Sequence, residues 1–162
     1  MSAVQQSGNI TPGHLASWVS PGVIRDAGPA ASAQKVIASL RGANFNTIFD
    51  QPIALPFNLV AFQLTNITVT NSSTSLTSAQ GGFYPQPNKA GSPLVAAGQA
   101  YSALTGPTSL LPLTLTTAGQ TTRFSATTLG SIGGFLQIWV SLTVAQGAMA
   151  TADIYIMGID LT

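Results

Sequence analysis

Cysteine and glutamate are absent from the 162-residue chain, and histidine occurs once, at position 14. Without cysteine there is neither a disulfide framework nor a thiolate metal site. One histidine and four aspartates leave too few ligands for a transition-metal centre, so no metal and no cofactor are expected. Charge of either sign is scarce: Asp, Glu, Lys and Arg make up 6% of the residues, against about 25% in an average soluble protein. The five basic residues (Arg25, Lys35, Arg41, Lys89 and Arg123) are scattered and the net charge is +1. That pattern excludes the basic footprint that concentrates nucleic acid or anionic lipid. The longest apolar stretch, FLQIWVSLTVA, is broken by Gln137, Ser141 and Thr143 and falls short of the roughly 18 residues that span a bilayer. MSAVQQSG has neither the basic start nor the apolar core of a secretory signal, so none is expected. The sequons at Asn66 and Asn71 therefore read as ordinary strand and turn residues.

What remains is 45% hydrophobic residues, a polar complement of Ser, Thr, Asn and Gln, and 16 Gly with 10 Pro. A surface with so little net charge has weak colloidal repulsion and favours self-association. It suits a subunit of a permanent assembly, whose surface is largely covered.

Residues 1–34 are punctuated by Pro12-Gly13, Pro21-Gly22 and Gly28-Pro29, which exclude a long helix or a central strand. Ile10, Leu15, Trp18, Val23 and Ile24 are nevertheless too apolar for a solvated linker. The segment reads as an extended arm that orders against another surface. Residues 35–162 read as a second domain, a β-sandwich. KVIASLRG, at 35–42, fits a strand or a short helix, and its all-β surroundings favour the strand. FNTIFDQPIALP reads as an edge or bulged strand because Pro52 cannot donate to a ladder. In NLVAFQLTNITVTN the apolar parity changes between Leu64 and Ile67, which predicts one extra residue, a β-bulge, near Thr65–Asn66. Residues 71–93 are turn-rich, with at most a short strand around Phe83. SLLPLTLTT alternates at Leu111, Leu113 and Leu115. LQIWVSLTV puts Leu136, Ile138, Val140, Leu142 and Val144 on one face, and DIYIMGIDL sets Ile154 and Ile156 opposite Tyr155, Met157 and Ile159. These last two runs are expected to pair as a hairpin across AQGAMATA. Long connections favour Greek-key wiring. The expected fold is all-β: an antiparallel jelly-roll-like β-sandwich preceded by an extended N-terminal arm.

Catalytic constellations are not expected. Of the four aspartates, Asp153 and Asp160 would lie roughly 23 Å apart along one strand, at about 3.3 Å per residue, too far to act as a pair. His14 sits in the Pro/Gly arm and no G-x-S-x-G elbow occurs. Gly81-Gly82 and Gly133-Gly134 lack the lysine of a phosphate loop and read as turns or bulges. Trp18 is a candidate partner anchor, or packs on its own sandwich. Trp139 is expected to cover the sheet or lie in a subunit contact. Phe83-Tyr84 with Pro85 and Pro87 is a candidate carbohydrate platform or simple packing.

Gly8-Asn9, Thr11-Pro12-Gly13-His14, Trp18, Gly22-Val23, Asp26 and Gly28 resemble an N-terminal motif of tailed-bacteriophage virion structural proteins, G-N-x-T-P-G-H followed by a Trp and G-V-x-x-D. There the motif precedes differing modules, which implies a docking segment. The rest of the chain, in Asp50-Gln51-Pro52-Ile53, TNITVTNSSTSLTSAQGGFYP, AGQAYSALT and VSLTVAQGAMATADIYIMGIDL, is similar in style to phage head decoration (cement) proteins with a jelly-roll body. The arm departs from the motif's usual aspartate–glycine step, having Asp26-Ala27-Gly28. The resemblance implies a non-enzymatic virion protein, assembled in the host cytoplasm. It would bind the outer capsid surface as a homotrimer or homodimer and reinforce contacts between major capsid subunits. The partner-binding residues it implies are His14, Leu15, Trp18, Val23, Ile24, Arg25 and Asp26. The alternative is a tail-fibre, spike or neck-appendage module that binds a receptor or glycan.

Overall fold

The computed structural model describes residues 34–57, 59–132 and 135–161, the side chains of 130–132 and 135 excepted, and the backbone of three strands before them. The chain divides into two compact units, Met1–Ala33 and Gln34–Thr162.

In the first unit, β1 (Gln5–Ser7), β2 (His14–Ser20) and β3 (Val23–Pro29) form a sheet of order β1-β3-β2. β1 runs parallel to β3 and β2 antiparallel to it. The exclusion of a central strand from this segment is therefore corrected: β3 is central. Its proline stands at the last position, Pro29, where ladder pairing ends, so no interior donor is lost.

In the second unit the strands are β4 (Lys35–Asn44), β5 (Gln51–Ala54), β6 (Ala61–Thr70), β7 (Gln80–Tyr84), β8 (Leu110–Leu113), β9 (Arg123–Ser125), β10 (Gly130–Ile132), β11 (Phe135–Val144) and β12 (Thr151–Asp160). A one-turn helix, α1 (Thr117–Thr121), is capped by Thr116, whose Oγ1 accepts from Gly119 N at 3.2 Å. One antiparallel sheet has the order β4-β12-β6-β8, with β9 on the same edge of β6 as β8; the other has β11 between β5 and β7, with β10 also on β11. Val95 bridges to Phe83 and to Leu115 and carries the second sheet beyond β7. Successive strands β4 to β7 alternate between the sheets. The late strands β12 and β11 insert between early ones, β12 between β4 and β6 and β11 between β5 and β7. This is jelly-roll wiring.

The strand pattern explains the core. Phe62, Leu64, Ile67 and Val69 of β6 and Ala152, Ile154 and Ile156 of β12 pack against Ile53, Phe83, Ile138, Val140 and Leu142 of the opposite sheet. The parity change in β6 is a bulge: Met157 pairs with Asn66 and Gly158 with Leu64, so exposed Thr65 has no partner residue. The extra residue restores Ile67 to the buried face after Leu64. β5 lies at its sheet's edge, where Pro52 is tolerated opposite Trp139.

The expected β11–β12 hairpin does not form. β11 and β12 lie in different sheets, and residues 145–150 cross between them. Phe45 intervenes, its N–H donating to Ala150 O and its carbonyl accepting from Gln146 N, both at 2.8 Å. Two cleanly alternating runs joined by a short loop satisfy their inward faces equally well across a sandwich as within one sheet, and periodicity does not distinguish the two.

Candidate binding cleft on the outer sheet face

From Gln137 to Leu142, β11 is buried on both faces. Ile138, Val140 and Leu142 enter the core, while Gln137, Trp139 and Ser141 point the other way and are buried too. Trp139 stands between Pro52 of β5 and Tyr84 of β7 in the pairing register, so the three side chains form a row across the outer face. Trp139 Nε1, Gln137 Oε1 and Ser141 Oγ are enclosed without a hydrogen-bond partner in the protein.

Over this row lies a cleft of about 530 Å³, lined by Ile48, Phe49 and Asp50 from the β4–β5 connection, Pro87, Asn88 and Lys89 from the loop after β7, and Trp139. The walls are fixed to each other, because the Asp50 carboxylate accepts a hydrogen bond from Asn88 N–H. Asn88 and Lys89 both hold left-handed backbone conformations, with φ of 58° and 57°. Two such non-glycine residues in succession are costly and persist only where the surroundings over-determine them. The first wall is tied down by Asn44 N–H donating to Gln51 Oε1 at 2.6 Å and Gln51 Nε2 donating to Asn44 O at 2.8 Å. Phe49 nonetheless stays 79% exposed. Burial, and secondarily the Asp50 charge, raises the pKa of Tyr84 above its ordinary value.

Two aspartates of the sandwich, Asp153 and Asp160, are spent on structure. Asp160 pairs with Lys35 at 2.7 Å. Asp153 accepts from Gly42 N at 2.8 Å and from Asn71 Nδ2 at 3.0 Å, which braces Asn71 at φ 53°. Among the described residues no three His, Cys, Asp or Glu side chains converge on a point.

The residues picked out in the first segment fall on two paired strands. His14, Leu15 and Trp18 lie on β2, and Val23, Ile24, Arg25 and Asp26 on β3; the register sets Trp18 opposite Ile24, Ser17 opposite Arg25 and Ala16 opposite Asp26. Their side chains lie outside the described residues, as does Gly133-Gly134. Phe83-Tyr84 is not an exposed platform: Phe83 is a core residue and Tyr84 is buried beside Trp139. Trp139 does cover its sheet. Sequence reading missed the grouping of Phe49, Asp50, Asn88 and Lys89, because these positions are distant in sequence and only jelly-roll wiring brings them together. No protein-family model, curated protein or solved structure matches this chain.

Proposed function

We propose that this chain is a structural protein of a tailed-bacteriophage virion, a homo-oligomeric decoration protein that binds the major capsid protein on the outer surface of the head. The observation that carries the reading is the pairing of a separate compact N-terminal unit, bearing the G-N-x-T-P-G-H segment, with a jelly-roll body. The near-uncharged surface and the large exposed side chains Phe49, Phe57, Val60 and Met149 suit a subunit whose ends are covered in an assembly. The first unit is the docking element, and the sandwich spreads over neighbouring capsid subunits. Immunogold labelling or a low-resolution reconstruction of the virion tests the reading: density on the head lattice supports it, and density confined to the tail or neck contradicts it. The cleft over Trp139 favours a second reading, a fibre, spike or neck-appendage module whose sandwich meets a receptor or glycan.

A further inference from the structure

We propose that the cleft over Trp139 is a binding site for a neutral saccharide. A sugar ring presents an apolar C–H face and a rim of hydroxyls that both donate and accept, and the lining matches both parts. The exposed Phe49 ring supplies the aromatic surface, and Trp139, 5% exposed, contributes only the edge that lines the cleft. Asp50 supplies a carboxylate, which accepts at two oxygens, only one of them engaged by Asn88 N–H. Asn88 supplies an amide that donates and accepts, and Lys89 an ammonium with donors alone. One acid and one base leave no net charge in the cleft, which disfavours a phosphate or an acidic sugar relative to an uncharged one. The volume of about 530 Å³ lies within the usual range for small-ligand sites.

The walls are held in place before any ligand arrives, by the Asp50–Asn88 tie, the Asn44–Gln51 pair of hydrogen bonds and the turn closed by Ala90 N–H on Pro87 O at 3.2 Å. Preorganisation of this kind lowers the ordering cost that limits weak ligands. A protein partner docking on the sandwich would instead use exposed apolar side chains generally, including Met149, which is 89% exposed and outside the cleft lining.

The test uses purified full-length Trp18→Phe protein, in which Trp139 is the sole tryptophan. Its fluorescence is followed on addition of glucose, galactose, mannose, N-acetylglucosamine, maltose and lactose, each to about 50 mM, a range that captures millimolar affinities. At least one sugar is expected to give a saturable change. Phe49→Ala is expected to weaken binding about 10-fold and Lys89→Met about 3-fold, with circular dichroism unchanged, and Met149→Ala is expected to bind as the parent does. No saturable change with any of the sugars overturns the proposal. So does binding that survives both Phe49→Ala and Lys89→Met, or that falls with Met149→Ala. No capsid enters the experiment, so its outcome is independent of where on the virion the protein resides.

Discussion

The phenol of Tyr101 donates to the carbonyl oxygen of Gly81 at 3.2 Å inside the sandwich, and its ring meets Phe45 edge to face at 4.8 Å. Burial pushes the Tyr101 pKa well above its ordinary 10.0. The folded state thus holds this proton more tightly than the unfolded chain does. The corresponding stability is fully present below about pH 10 and is lost as pH rises beyond it, by at most about 1.4 kcal/mol per pH unit for one group. Melting temperatures measured from pH 8 to 11 should fall steeply above pH 10. Tyr101→Phe should be less stable at neutral pH by about 1 kcal/mol, and its alkaline decline should be shallower. Equal declines in both proteins would show that Tyr101 is not the responsible group.

Gly158 sits at the β6 bulge, where an added Cβ would stand 2.6 Å from Gln63 O and 3.0 Å from Ile37 Cδ1. A backbone oxygen in a central ladder cannot move aside cheaply. Gly158→Ala should cost about 1–3 kcal/mol in urea unfolding. Gly98→Ala, with nothing within 4 Å of its Cβ, should change stability by less than about 0.5 kcal/mol. Similar effects at the two sites would remove the steric argument.

A protein beginning at Gln34 should fold alone. Among the described residues the core is drawn from positions 37 to 156, and the chain divides after Ala33. A β-type circular dichroism spectrum and a cooperative melt are expected; a non-cooperative melt would mean that the first unit completes the core.

The purified full-length protein should be an oligomer, because a surface of low charge with exposed Phe49, Phe57 and Met149 favours burial between copies. Sedimentation at micromolar concentration should give a trimer or dimer, and a stable monomer would contradict this.

The long strands β4, β6, β11 and β12, the bulge at Thr65 and the edge position of β5 were legible because each follows from local side-chain parity, from its all-β surroundings or from a proline, whereas β1 to β3 and the short β9 and β10 were not. Strand partners were less so. The runs of β11 and β12 alternate as a hairpin would, yet the connection through Gly147 crosses between sheets, and its anchor, Phe45, is a hundred residues away in sequence. The cleft was illegible for the same reason. Phe49-Asp50 and Asn88-Lys89 carry no motif, and their joint position above Trp139 exists only once β5, β11 and β7 lie side by side. On β11, period-two alternation identifies the core face correctly but not that the other face is also covered from Gln137 to Ser141.

The proposed docking of the first unit on a capsid is tested most directly by adding the protein to phage heads lacking it and measuring co-sedimentation. Trp18 is the largest apolar side chain of that unit, and truncating an interface aromatic typically costs about 2–4 kcal/mol, roughly a 30- to 1,000-fold loss of affinity. Trp18→Ala should therefore bind such heads far more weakly than the parent while keeping the sandwich folded. His14→Ala should have a smaller effect. Binding of the parent should change little between low salt and about 0.5 M salt, since few charges are available to be screened. Undiminished binding by Trp18→Ala, or binding of the parent abolished by salt alone, would contradict an apolar docking segment.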